Sequence, residues 1–156
     1  MRAAFQGVPG AYSQAAAVEL FGAGVEYLPC ESFEQVFAAV EQGFCERGVL
    51  PIENSLAGSI HRNYDLLLQH GLSIVGEYNL RVEHCLIGLP GAVLAEIRSV
   101  ISHPQALAQC DGYLRKLGVA TSPAYDTAGS VRIIQENGDP SQAAIASRRA
   151  AELYGM

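Results

Sequence analysis

The residues best suited to chemistry lie at four turns of one kind. Each is a short apolar run that breaks into small or uncharged polar residues and then opens a helical pattern: Gly7–Ser13, Glu53–Ser59, Ser102–Gln105 and Asp126–Ser130. The second is the most developed. Val49, Leu50 and Ile52 read as a buried strand, Glu53-Asn54-Ser55 follows, and after Gly58 and Ser59 the apolar run Ile60 to Leu68 takes up helical spacing. In a parallel α/β sheet such turns sit at the carboxyl edge, where ligands bind. A helix start presents unpaired backbone N–H groups and the positive end of the helix dipole, which favours an anion. Asn54, Ser55 and Ser59 add hydrogen-bonding side chains, and Gly58 permits close approach to the backbone. Taken singly, each turn is an ordinary helix cap. Four of them on the carboxyl edges of one two-lobed fold would ring a cleft with N–H donors, a site for a small polar anion rather than a nucleotide or a metal.

Competing signatures are missing. The chain has no G-x-S-x-G elbow, no P-loop and no H-E-x-x-H. Gly7-Val8-Pro9-Gly10 lacks the G-x-G-x-x-G order and Pro9 removes a donor, which argues against a dinucleotide. His61, His70, His84 and Cys85 share no metal-ligand spacing, and neighbours such as His84 and Cys85 point to opposite faces of a strand. No metal and no cofactor is expected. His103, just ahead of Pro104, is expected to make a structural hydrogen bond at a helix start rather than to move a proton. Arg47, Arg81 and Arg132 read as solvated or paired.

The elements that must position these turns follow from periodicity and punctuation. Arg2 to Phe5 is a short strand, an alanine-rich helix runs to about Phe21, and Val25 to Leu28 is a second strand. Ser32-Phe33-Glu34-Gln35 is a capping box, after which Phe33, Val36, Phe37 and Val40 mark one buried helical face. Arg47 to Ile52 is the next strand, and the helix after it stops at His70-Gly71. From Leu72 to Ile87 the pattern is strand throughout, which suggests a hinge crossing between lobes spanning 1–80 and 81–156. A turn at Leu89-Pro90-Gly91 and a brief helix at Val93 to Ile97 lead to the strand Ser99–Ser102. Pro104 suits a first helical position, and Leu107, Cys110, Leu114 and Leu117 form one stripe that Gly118 ends. The strand Val119 to Ala124 precedes a helix capped by Asp126, and a last strand, Ala143 to Ala146, precedes a helix capped by Ser147 that runs to Gly155.

Composition narrows the class. Of the 156 residues 49% are hydrophobic, enough for one compact soluble unit or two small lobes sharing a cleft. The net charge is −6, and ten Lys plus Arg are scattered singly, so no basic stripe for nucleic acid exists. No apolar run approaches the roughly 18 residues of a membrane span. Met1 to Phe5 runs directly into a strand with no signal-peptide layout, so a cytoplasmic location is expected. Cys30, Cys45, Cys85 and Cys110 are widely spaced in apolar segments and read as reduced core thiols.

At its turns the chain resembles the prephenate dehydratases and the related arogenate dehydratases. The resemblance is carried by Phe5-Gln6-Gly7-Val8-Pro9-Gly10-Ala11-Tyr12-Ser13, Pro51-Ile52-Glu53-Asn54-Ser55 with Gly58-Ser59, and His84-Cys85-Leu86. It continues in Ser102-His103-Pro104-Gln105 through Gln109-Cys110, in Asp126-Thr127-Ala128 and in Ala144-Ile145-Ala146-Ser147. These cover nearly the whole chain, in order. The resemblance implies a two-lobed α/β fold, like a small type-II periplasmic binding protein, with the active site in the inter-lobe cleft. It implies a cofactor-free decarboxylating dehydration of dianionic prephenate to phenylpyruvate in phenylalanine biosynthesis, or of arogenate, with a non-catalytic anion-binding module as the reading from another class. Catalytic roles pass to Asn54, Gln109 and Thr127, and substrate binding to Gly10, Ser13, Ser55, Ser59, Ser102, Gln105 and Ala128. A homo-oligomer is also implied, with no nucleic acid or membrane partner.

Catalytic domains of this family continue past a helix like Ala150–Gly155 into a strand of the first lobe bearing a Thr-Arg-Phe tripeptide, whose threonine is essential, and a regulatory ACT domain commonly follows. Neither pattern occurs within these 156 residues. The expectation for the chain as given is therefore substrate binding with slow turnover, a final helix leading back toward the first lobe, and no ACT domain.

Overall fold

The computed structural model describes residues 1–156, which divide into two α/β units. The first comprises Met1–Val8 and Tyr12–Arg81, and the second Pro9–Ala11 and Val82–Met156.

In the first unit β1 (Arg2–Gln6) is the middle strand of a parallel sheet, flanked by β2 (Glu26–Cys30) and β3 (Arg47–Val49). The crossovers are α1 (Tyr12–Phe21) and α2 (Phe33–Glu41). Ser32 caps α2 by accepting the Gln35 N–H at 3.3 Å, and Gln35 returns the favour to the Glu31 N–H at 2.8 Å. Val36 and Ala39 of α2 pack with Ala4, Cys30 and Cys45 in the core. Gly48 lets α2 lie close to β3, because a Cβ there would stand 2.9 Å from Val36 Cγ1. The strand expected over Arg47 to Ile52 ends at Val49. The chain instead forms a small antiparallel hairpin, β4 (Glu53–Asn54) with β5 (Gly58–Ser59), before α3 (His61–Gln69).

Residues 71–84 depart most from expectation: their alternating pattern predicts strand, but they carry no regular secondary structure. Ile74 and Val75 are more than two-thirds exposed. Alternation favours an extended backbone, yet a strand exists only by hydrogen bonding to another, and none in this chain pairs with these residues.

The second unit is a four-stranded sheet ordered β6-β9-β7-β8, built from β6 (Cys85–Gly88), β7 (Ser99–Ser102), β8 (Ala120–Pro123) and β9 (Gln142–Ala146). β7, β8 and β9 are parallel, and β6 runs antiparallel to β9 with Cys85 opposite Ala146. Val100, Ala143 and Ile145 meet Ala106 and Leu114 from the covering helices. The single helix expected after His103 is two, α4 (Pro104–Gln109) and α5 (Asp111–Leu117), because Cys110 leaves helical geometry at φ −99°, ψ 2° ahead of the weak helix formers Asp111 and Gly112. α6 (Thr127–Asn137) and α7 (Arg148–Leu153) start at Asp126 and Ser147 as their caps predict. The segment Pro9–Ala11 belongs to this unit's packing. A Cβ on Gly10, at φ +91°, would stand 3.0 Å from Ala150 Cα, and Ser147 Oγ donates to the Gly10 carbonyl at 3.0 Å.

Candidate active site

In the first unit the candidate residues gather on the β4–β5 hairpin. Asn54 folds its side chain back on its own turn, with Oδ1 accepting the N–H groups of Leu56 at 3.0 Å and Ala57 at 3.1 Å. That fixes the carboxamide and leaves its NH2 to offer elsewhere. Beneath it, Asn63 is wholly buried and donates through Nδ2 to the Pro51 carbonyl at 2.7 Å, anchoring the base of the hairpin. Ser55 and Ser59 are exposed, and α3 starts at Ile60 without any side-chain cap, so neither serine serves as the cap of this helix. Ser13 is half-buried in the first turn of α1.

In the second unit the three parallel strands end at one edge, where α4, α6 and α7 begin after β7, β8 and β9. This edge carries Ser102, Gln105, Thr127 and Ala128, together with Gly10. His103 caps α4 by accepting the Gln105 N–H on Nδ1 at 3.2 Å, the structural bond expected of it. Asp126 caps α6 by accepting the Gly129 N–H, while Ser130 Oγ donates to the Asp126 carbonyl at 2.7 Å. Thr127, first in α6, is half-buried, whereas Ala128 is enclosed, its methyl 3.6 Å from where a Gly10 Cβ would be. Gln109 ends α4 at the helix break, with Oε1 2.9 Å from His84 Nε2.

Two readings of these residues need correction. Ser102 is fully buried and donates to the Ile145 carbonyl at 2.6 Å, so it bolts β7 to β9 instead of facing a ligand. The helix starts are also not equivalent open donors, because α4 is short and capped by His103 and α6 is capped by a carboxylate. The donors best placed for an anion are thus side-chain amides and hydroxyls more than helix ends. No three His, Cys, Asp or Glu side chains cluster as metal ligands. Sequence reasoning missed the His84–Gln109 pair, which links residues 25 positions apart, and the anchoring role of Asn63; neither has a local signal.

The prephenate dehydratase family model matches residues 3–156. Arogenate dehydratase 3, chloroplastic, from Arabidopsis thaliana is 56% identical over 158 residues, covering 100% of this chain but 37% of that protein. The chain therefore spans little more than a third of the length of such relatives. Among solved structures, GqqA, described as a novel type of quorum quenching acylase, aligns with a TM-score of 0.91 at 45% identity over 99% of this chain and 56% of its own. Prephenate dehydratase from Arthrobacter aurescens, in complex with L-Phe, aligns with a TM-score of 0.89 at 26% identity over 98% of this chain and 52% of its own. The fold is thus the two-lobed, type-II periplasmic-binding-protein-like class the sequence predicts. No helix is long and apolar enough to cross a membrane. The cytoplasmic expectation is overturned by relatives named chloroplastic, which point to a plastid. A plastid-directing segment is separate and removable, so the residues around Met1 carried no information on location.

Proposed function

The chain belongs to the prephenate dehydratase family, and we propose that it carries out the family's decarboxylating dehydration on prephenate or arogenate. The two substrates share the reacting ring and differ in a keto or amino side chain. In the ring the bond to the carboxylate breaks and releases CO2, its electron pair enters the ring, and the C–O bond at the opposite carbon breaks to release hydroxide, which leaves as water once protonated. The driving force is aromatisation. The protein's task is to hold two carboxylates and to stabilise the departing oxygen.

The observation that carries this reading is the uncharged donor set. Asn54 and Gln109 each have their amide oxygen engaged within the chain, so each presents NH2, and the half-buried Thr127 adds a hydroxyl at a helix start. Such donors bind carboxylates without a rigid salt bridge, and one placed where charge develops is worth about 3 kcal/mol. Asn54 and Gln109 are assigned to the substrate and the departing oxygen, and Thr127 to general-acid support. Ser13, Ser55, Ser59, Gln105 and the backbone at Gly10 and Ala128 are assigned to substrate carboxylates. The exposed apolar side chains Ile74, Val75 and Tyr78 support assembly into a homo-oligomer. The chloroplastic relatives support a plastid location.

The test is to supply prephenate and arogenate in turn and measure phenylpyruvate and phenylalanine formation. Turnover of one or both, lost in Gln109→Ala, is the expected result. The similarity to GqqA favours acylase activity as a second reading. Cleavage of acyl amides, with neither aromatic product formed, would replace the dehydratase assignment by that one.

A further inference from the structure

We propose that His84 is the positioning residue for Gln109, locking its carboxamide so that the NH2 and not the oxygen is presented to the ligand; the inference rests on the dehydratase reading above. His84 owes its place to the one antiparallel strand of its sheet. Cys85, the first residue of β6, is paired with Ala146, the last residue of β9. An antiparallel strand brings its beginning to the edge where its parallel neighbours end, so His84 arrives at the carboxyl edge, beside the starts of α4, α6 and α7. There its Nε2 lies 2.9 Å from Gln109 Oε1, with both side chains partly buried.

The chemistry of this contact is directional. An amide oxygen has no hydrogen to give, so the imidazole must donate, and a neutral His84 must carry its hydrogen on Nε2. The two ends of a glutamine amide have nearly the same shape but opposite polarity. Released from His84, Gln109 could rotate and offer its oxygen to a carboxylate or a departing hydroxide, turning a donor into a repulsive group. It also has three side-chain torsions to fix, and it sits where α4 breaks, so its backbone environment constrains it less than a helix interior would. An external lock therefore matters more for Gln109 than for Asn54, which its own turn holds. The family string His84-Cys85-Leu86 thereby acquires a purpose that metal ligation and strand packing did not give it.

The test is a double-mutant cycle on the whole protein, assayed with whichever of prephenate and arogenate it turns over. His84→Phe keeps a ring and removes the N–H; kcat/KM should fall about tenfold or more, and the same change in a Gln109→Ala background should cost nothing further. His84→Gln, whose Nε2 can reach the place of the imidazole Nε2, should restore most of the loss. A folded His84→Phe protein with wild-type kinetics, equal losses in both backgrounds, or a His84→Gln protein as slow as His84→Phe would each overturn the proposal. If His84→Phe does not fold, the cycle is run with His84→Leu, which also removes the N–H, and nitrogen-15 NMR of the wild-type imidazole decides the contact directly. Hydrogen on Nε2 in the neutral ring is the expected result, and hydrogen on Nδ1 overturns the proposal. A wild-type protein inactive on both substrates would remove the dehydratase reading, while the imidazole tautomer would still decide this contact.

Discussion

At the scale of single residues, the structure separates side chains that keep polar groups at the surface from those that look alike in sequence but are sealed in the fold. Asn54 uses its oxygen on its own turn and keeps its NH2 for another acceptor, so Asn54→Asp is the informative change. The turn keeps its acceptor while the NH2 is replaced by a charge that repels carboxylates. The thermal midpoint should stay close to wild type and kcat/KM should fall about a hundredfold or more; equal falls in both would make Asn54 a turn residue alone. Ser102 is the opposite case. Ser102→Ala strands the buried Ile145 carbonyl, which should cost about 1–3 kcal/mol in denaturant unfolding while the folded fraction retains its specific activity. Asn54 and Ser102 lie in equally distinctive strings, and nothing local says that one hydroxyl is sealed inside a sheet. That distinction is made by β9, 43 residues downstream, whose carbonyl takes up the serine hydrogen.

At the scale of elements, much of the architecture was legible because local punctuation and tertiary packing agree. Ser32, Asp126 and Ser147 each cap the helix they announce, and Gly118 and Gly138 end helices at φ +68° and +65°. Asp126→Ala should accordingly lower stability by about 1 kcal/mol, the usual cost of a lost cap, with Asp126→Asn restoring most of it in the same melting experiment. The two misread strands both turn on pairing. Residues 71–84 have strand propensity without a strand partner, and the run after Val49 turns into a hairpin because Asn54 and Gly58 favour a tight return over an extended line. Propensity reports what a segment prefers alone, and pairing is a property of two segments.

At the scale of the whole molecule, the thiols give the cleanest reading of how firmly the first unit is closed. Burial pushes the Cys30 thiol above its usual range, and the neighbouring Cys45 adds to the shift; burial likewise raises Cys45. Both are core residues beside Val36. A raised thiol keeps its proton in the folded state. Stability from these groups is therefore fully present below the ordinary thiol pKa, about 8.5, and is lost as pH rises through the higher folded values. A urea series from pH 7 to 10 should show the unfolding midpoint declining above that point, and Cys30→Ala/Cys45→Ala should flatten the decline. Alkylation of these two thiols should be far slower in the native protein than after unfolding, and fast native labelling of either would contradict the closed core.

The tripeptide Pro9–Ala11 has a consequence for anyone dissecting this gene. Its carbonyls accept hydrogen bonds from Ser147 and Tyr154, and Gly10 leaves space only for Ala150 and Ala128. Yet it is encoded amid the residues of the other unit, so the polypeptide passes from one unit to the other three times, after Val8, Ala11 and Arg81. No single cut yields two self-sufficient halves. A fragment beginning at Val82 lacks the piece that covers Ala128 and Ala150, and should gain order when the missing N-terminal fragment is added in trans. The N-terminal stretch therefore carries a piece that the second unit needs in order to close.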